Sequence, residues 1–461
     1  MIGAPVATQS LLDFAGADHA LPPQARADVE RLLADTLAVG AAGATAPGAD
    51  AILTAARAMG TGTDARLIGT GERLPAPGAA FVNGYRIHCL EWDAVHEPAV
   101  VHALSTVVAA LGAAIDRRLS NGYGCDADEA LTALAVGVDI ASGLGLAATS
   151  GLSFFRPATA GVIGAALAVA RIDGAPMADT LGLAYSSAAG TMQAHVEGLA
   201  TLPFQIANAA RAAVSASDLA RAGFPGPKDP IEGQFGYFSL FDEGDLSAYT
   251  DAIGEVWRIS EVSVKPFPSG RASHAALGAL EELYRHSRER GNPGSSGASS
   301  ASLWTPAFAG VTTESIASIQ LACPPLIRRL VARPYKPDMT PAYARLCLPF
   351  LAALMIIDGR IDPRRFTPEH MANPDTAALA CTVSLVPDGN DDPNALFPQA
   401  LSVTLANGES HTYEIAATLG SPDNPLTPIQ SAAKFDLARD LAPDGHDPRL
   451  FTDPLGYFTE S

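Results

Sequence analysis

Two patterns of apolar positions divide the chain. From Pro22 to about Gly223, apolar residues recur every three or four positions, the spacing of one helical face. In the stretch 25–43 this spacing puts Val29, Leu32, Leu33 and Leu37 on one stripe, and the glycines that follow suit a helix end. Residues 82–116 read as helix, short loop around Pro98, helix. Further helices are predicted at Asp128–Ser142, Pro157–Arg171, Met177–Thr191 and Phe204–Ala222, with small residues on faces that can pack closely. After Val262 the period changes to two: Ile319, Leu321 and Cys323 alternate with polar or small neighbours, as do Cys381, Val383 and Leu385, and Leu401, Val403 and Leu405. Asn407-Gly408 then predicts a hairpin. A helix is expected between the first two strands, capped by Thr340, opened by Pro341 and ended by Gly359. A last helix, Ile429–Leu441, returns to the first unit. The fold expected is mainly α, with a large all-α domain (1–262 and 419–461) and a smaller α+β domain (263–418).

Composition agrees with two globular units. The 461 residues are 48% hydrophobic and 17% charged, enough to bury sizeable cores. The Gly- and Ser-rich stretch 291–313 breaks the pattern and reads as a flexible surface insertion that carries no chemistry. A net charge of -19 with no basic block argues against nucleic acid and against an anionic membrane surface. An anionic substrate then needs cations concentrated in its pocket. Five cysteines, odd in number and without CxxC spacing, read as reduced thiols of a cytoplasmic protein and offer no iron–sulfur motif. The N-terminus lacks a basic signal-type region, and no apolar run meets the membrane-span criterion.

The chemistry-bearing residues form two clusters. Gly143-Leu-Gly145 resembles a dinucleotide fingerprint, but no strand precedes it, so it reads as helix packing. Between His88 and His102, in an apolar background, lie His88, Glu91, Asp93, His96, Glu97 and His102. His88 with Glu91 and Asp93 with His96 have the spacing of one helical face. His102 would open a helix whose free N–H groups favour an anion. The set suits acid–base work; the bland alternative is a wet interhelical loop. The second cluster, Lys265-Pro-Phe-Pro-Ser-Gly-Arg271-Ala-Ser-His274, falls at the domain junction. It could grip carboxylates, Arg bidentately and Lys as a point charge, or be a solvated hinge.

Taken together, these segments resemble the MmgE/PrpD family. The match runs in order through Asn83-Gly84…His88…Asp93, the helix at 156–174, the stretch 223–238, the Lys265 cluster, the helix at 343–359 and Lys434-Phe435, covering nearly the whole chain. The family includes 2-methylcitrate dehydratase, cis-aconitate decarboxylase and an iminodisuccinate epimerase. The resemblance implies a helical domain with a smaller lid domain, a homodimer, and a pocket that uses no metal or organic cofactor. By position it assigns Asp93, His102 and Lys265 as catalytic. A substrate-binding set of His88, Glu91, His96, Arg156, Gln205, Arg271 and His274 completes the expected site. The chain departs from the family pattern at Ala94-Val95, at Arg156, at Leu202–Gln205 and at Gly270, which marks a divergent branch.

The expected activity is a cofactor-independent lyase or isomerase, 2-methylcitrate dehydratase-like. It would abstract a proton next to a carboxylate of a small di- or tricarboxylic acid. Asp93 or His102 serves as base or acid, and Lys265, Arg271 and Arg156 hold carboxylates. Two rivals stay open: a metal-dependent hydrolase using Glu91, Asp93, His96 and His102, and a degenerate member that binds a carboxylate without turnover.

Overall fold

The computed structural model describes residues 6–289 and 315–460, so the insertion expected at 291–313 lies outside the described residues. The chain forms two compact units, 1–264 with 426–461, and 265–425.

In the first unit the main helices are α1 (Pro23–Ala42), α2 (Ala76–His88), α3 (Ala103–Ser120), α4 (Ala127–Leu146), α5 (Arg156–Asp173) and α6 (Thr201–Arg221). The local sequence explains their limits. Asp126 caps α4 by accepting from the N–H groups of Asp128 and Glu129, and Pro157 lies in the first turn of α5. Gly174, with φ 66°, ends α5. Small residues set the crossings. At Gly164 a Cβ would lie 2.2 Å from the Gly137 carbonyl oxygen, so α4 and α5 touch backbone to backbone there. Any side chain would force them apart, at a cost of roughly 1–3 kcal/mol or more. The helix expected at Met177–Thr191 ends at Ser186. Gly190 turns at φ 121°, and Gln205 takes both backbone groups of Thr191. The unit is not purely helical, since it also holds two two-residue ladders. One pairs β1 (Val95–His96) with β2 (Val262–Ser263). The helix Pro428–Leu441, opened by a Thr427–Gln430 capping box, packs on α1.

By length and composition α4 could cross a membrane, contrary to the sequence expectation; 89% of its apolar window is buried inside the protein, as in a core helix. It carries a buried acid, Asp139, which accepts from the Tyr249 hydroxyl at 2.6 Å and from the Arg258 N–H at 2.8 Å. Burial pushes its carboxyl up to about 6. The folded state therefore binds this proton more tightly than the unfolded chain does. Stability is lost as pH rises from about 4 through 6, by roughly 2–3 kcal/mol in all. Asp139→Asn has no such titration, and its amide can serve both neighbours. Its melting temperature relative to wild type should rise by a few degrees between pH 4.5 and 7.5; a pH-independent difference would contradict this account.

The second unit is built on a four-stranded sheet: β3 (Ile316–Cys323), β4 (Val383–Pro387), β5 (Gln399–Leu405) and β6 (Ser410–Ile415) in the order β4-β3-β5-β6. β3 runs parallel to β4 and antiparallel to β5. Burial alternates along β5 as the period-two pattern requires. Gly408, at φ 87°, closes the β5–β6 hairpin. The core joins Ile319, Leu321, Leu401 and Val403 to Phe350, Leu351 and Leu354. The single helix expected from Thr340 to Gly359 is two: Pro341–Ala344, capped by Thr340, and Leu348–Asp358. Pro349 is the cause. It lacks an N–H and its ring would clash with the carbonyl four residues back, so it is tolerated only in the first turn of a helix, and Cys347 before that turn is extended. That carbonyl, of Arg345, instead accepts from the Gly270 N–H at 3.0 Å.

Candidate active site

α2 and α3 pack side by side, and the polar cluster occupies their connection, 89–102. Two residues there have left-handed backbone without being glycine: Glu91 and Val100, both at φ 54°. For a β-branched residue this costs about 1–2 kcal/mol and persists only where its surroundings enforce it. Here the turn does so. The Val100 N–H donates to Glu97, and His96 and Val101 exchange backbone hydrogen bonds of 2.9 and 3.2 Å. Gly145 lets α4 press on this turn, since a Cβ there would lie 2.6 Å from the Ala99 carbonyl oxygen.

Asp93 is fully buried at the centre. Its Oδ2 accepts from His88 Nδ1 at 2.8 Å and from the Ser105 hydroxyl, and His102 Nδ1 lies 3.0 Å away. His88 ends α2, His102 caps α3, and Ser105 sits in the first turn of α3. The two imidazoles meet edge to face at 4.8 Å, and Glu91 Oε1 lies 3.6 Å from His88 Nε2. In this low-dielectric setting a carboxylate strongly orients neighbouring donors and stabilises a nearby imidazolium. The His88 side chain is 1% exposed and that of His102 is 12% exposed, so His102 is the more open imidazole. It stands at the N-terminus of an 18-residue helix, where free N–H groups favour an anion.

The other expected site residues are placed differently. His96 donates through Nε2 to Glu261 at 2.9 Å and accepts the Ala99 N–H through Nδ1, closing the turn. The contact with His96 holds the Glu261 carboxyl below its usual range. Glu97 accepts from the Ser263 hydroxyl. Arg156 is buried, makes a two-pronged ion pair with Asp242 at 2.9–3.1 Å, and donates to the Ser150 carbonyl. That matched charge departs from the expected carboxylate contact, and the physical reason is Asp242, 86 positions along the chain. Gln205 pins the Thr191 backbone.

In the second unit, Arg271 donates to the Leu419 carbonyl at 2.6 Å, and His274 Nε2 lies 3.1 Å from the Ser269 hydroxyl. Lys265, the first residue of that unit, is fully buried and follows β2 by two positions.

Sequence reading missed Ser105 and Asp35. Ser105 was within reach, three residues after His102 on the same helical face. Asp35 was not, because its partner Lys434 comes 399 positions later (434 minus 35).

His88, Asp93 and His102 each offer one ligand atom, all within 4.8 Å of one another, so this trio is also the candidate metal group among the described residues. The hydrolase set expected from sequence differs, since it included Glu91 and His96 and left out His88.

The MmgE/PrpD N-terminal domain model matches residues 17–248 and the C-terminal domain model residues 267–445. The chain is similar to cis-aconitate decarboxylase of Mus musculus, 25% identical over 441 residues, spanning 92% of this chain and 85% of the relative. It is 26% identical over 377 residues to the Homo sapiens cis-aconitate decarboxylase, spanning 79% of this chain and 72% of the relative. A cis-aconitate decarboxylase-like protein of Aspergillus oryzae is 29% identical over 296 residues, 59% of each chain.

Proposed function

The chain belongs to the MmgE/PrpD family, and from that premise we propose that it is a cofactor-independent lyase acting on a small di- or tricarboxylic acid. The observation that carries the proposal is the buried Asp93 oxygen, which collects His88, Ser105 and His102. The relatives named cis-aconitate decarboxylases support the reaction class and the kind of substrate.

In this reading His102 moves the proton. The Asp93 carboxylate lies 3.0 Å from His102 Nδ1, so Nε2 is assigned as the working atom, to take a proton next to a carboxylate or return one to the resulting carbanion. The Asp93 carboxylate lies beside the imidazolium that forms and stabilises it. Ser105 and His88 hold the carboxylate in place. The N–H groups that open α3 favour a carboxylate of the substrate, and Lys265, assigned by its position in the family pattern, is a further candidate cation. In a dehydration or an epimerisation the electron pair left by proton removal expels hydroxide or is reprotonated; in a decarboxylation carbon dioxide departs, leaving its bonding pair on carbon, and His102 delivers the proton that this carbon takes up.

The metal trio favours a second reading, a metal-assisted hydrolase. The hydrogen bonds from His88 Nδ1 and Ser105 to Asp93 Oδ2 favour the first, since they give the carboxylate the fixed orientation that acid–base work needs.

One experiment tests both. Purified enzyme is assayed on cis-aconitate, 2-methylcitrate and a panel of di- and tricarboxylates, beside neutral amides and esters of the same skeletons, with and without EDTA. The expected result is turnover of at least one polycarboxylate, none of its neutral analogue, and no effect of EDTA. Equal turnover of neutral analogues would reject the substrate class. Stoichiometric zinc or manganese whose removal abolishes activity would establish the second reading.

A further inference from the structure

Lys434 lies on the helix Pro428–Leu441, far in sequence from the polar cluster. Its ammonium is buried and makes three contacts in the first unit: Asp35 Oδ1 of α1 at 2.6 Å, the Trp92 carbonyl oxygen at 3.3 Å, and the Trp92 ring at 5.4 Å. Trp92 is fully buried and immediately precedes Asp93. The turn that brings Asp93 round is held from one side by Glu91 in left-handed backbone, its N–H donating to the His88 carbonyl at 2.9 Å. From the other side it is held by Lys434. A buried ion pair is a weak source of stability, because desolvating two charges costs about as much as their attraction returns. This one also meets the carbonyl next to the Asp93 carboxylate. Burial holds the Asp35 carboxyl up, against the opposing pull of Lys434 and Arg31.

We propose that Lys434, oriented by Asp35, is a positioning residue that fixes the Trp92 peptide and thereby aims the Asp93 carboxylate at His88 and His102. A carboxylate attached to a freely turning peptide could not keep both imidazoles in register, since acid–base catalysis is sensitive to displacements of about an ångström. The inference rests on the lyase reading only for its kinetic arm.

Removing Lys434 alone would strand Asp35 as an uncompensated buried charge and endanger the fold, so the informative variant is the pair Asp35→Leu with Lys434→Met. Replacing a buried ion pair with apolar side chains of similar volume is often neutral for stability, so the melting temperature should stay within a few degrees. Amide exchange of residues 91–101 should accelerate by roughly tenfold or more, while exchange in α3 and α5 is unchanged. For whichever acid the wild type turns over, kcat should fall about tenfold or more with KM within about threefold. Restoring only the charges, in Asp35→Glu with Lys434→Arg, should recover part of kcat. Unchanged exchange at 91–101 in the stable double variant would overturn the proposal, and that arm needs no substrate. Should exchange rise while kcat holds, the positioning role falls and a purely structural one replaces it. Should the wild type accept no acid in the panel, the lyase reading fails, and exchange alone then decides whether Lys434 holds this turn.

Discussion

With His102 replaced by glutamine, kcat on the accepted acid is expected to fall by about two to four orders of magnitude, the usual contribution of a positioned general acid or base. The protein should remain folded. His102 caps α3 without accepting a side-chain cap bond, and its side chain is the more open of the two imidazoles beside Asp93. Glutamine fills similar space and keeps polar atoms but cannot take a proton at neutral pH. Asp93→Asn should produce a comparable loss by another route. An amide in place of the carboxylate turns a donor towards His88 or His102, upsets the tautomer, and withdraws the charge that stabilises an imidazolium. The check is a steady-state assay alongside circular dichroism. If His102→Gln keeps activity within threefold of wild type, another group moves the proton and the assignment fails.

The second large effect is expected at Lys265. A net charge of -19 repels a polyanion at long range, so binding depends on the few cations the pocket supplies. Two cations expected to help are committed elsewhere: Arg156 to Asp242 and Ser150, and Arg271 to the carbonyls of Leu419 and Thr418. Lys265 is buried, so its ammonium acts where solvent screens little. Lys265→Met keeps most of the side-chain volume and removes the charge. The variant should lose about tenfold or more in kcat/KM, since a hydrogen bond to a charged group is worth roughly 1.5–3 kcal/mol. A substrate analogue with one carboxylate replaced by an amide should lose less on the variant than the parent acid does. Equal kcat/KM for variant and wild type on the parent acid would remove Lys265 from the site.

Helix and strand positions were legible because burial imposes a period. One face of α1 must carry Val29, Leu32, Leu33 and Leu37, and one face of β5 must carry Leu401, Val403 and Leu405, whatever lies opposite. Punctuation was legible for the same local reason: Asn407-Gly408 turns the hairpin and Gly359 ends its helix because few residues accept left-handed backbone. Periodicity alone overextends two helices, because it does not register where the backbone must break. Pro349 breaks the helix expected across it, and the chain after Ser186 leaves the helix expected to reach Thr191.

The sequence by itself determined the class of elements, the family by the order of its motifs, and the segment in which the polar cluster of His88, Asp93 and His102 lies. It could not say which of three histidines meets Asp93. His88 and His102 do, while His96, three residues from Asp93, turns to Glu261. That choice is made by backbone reversals at Glu91 and Val100, residues whose identity announces no left-handed turn; only the surrounding packing, such as Gly145 against Ala99, enforces them. Nor could it foresee that Asp242 neutralises Arg156, or that Lys434 and Asp35 meet behind Trp92. A local pattern reports the period a chain must keep to bury its own face. The partner of a buried charge is chosen by whichever distant segment folding brings alongside, and only the tertiary structure decides that.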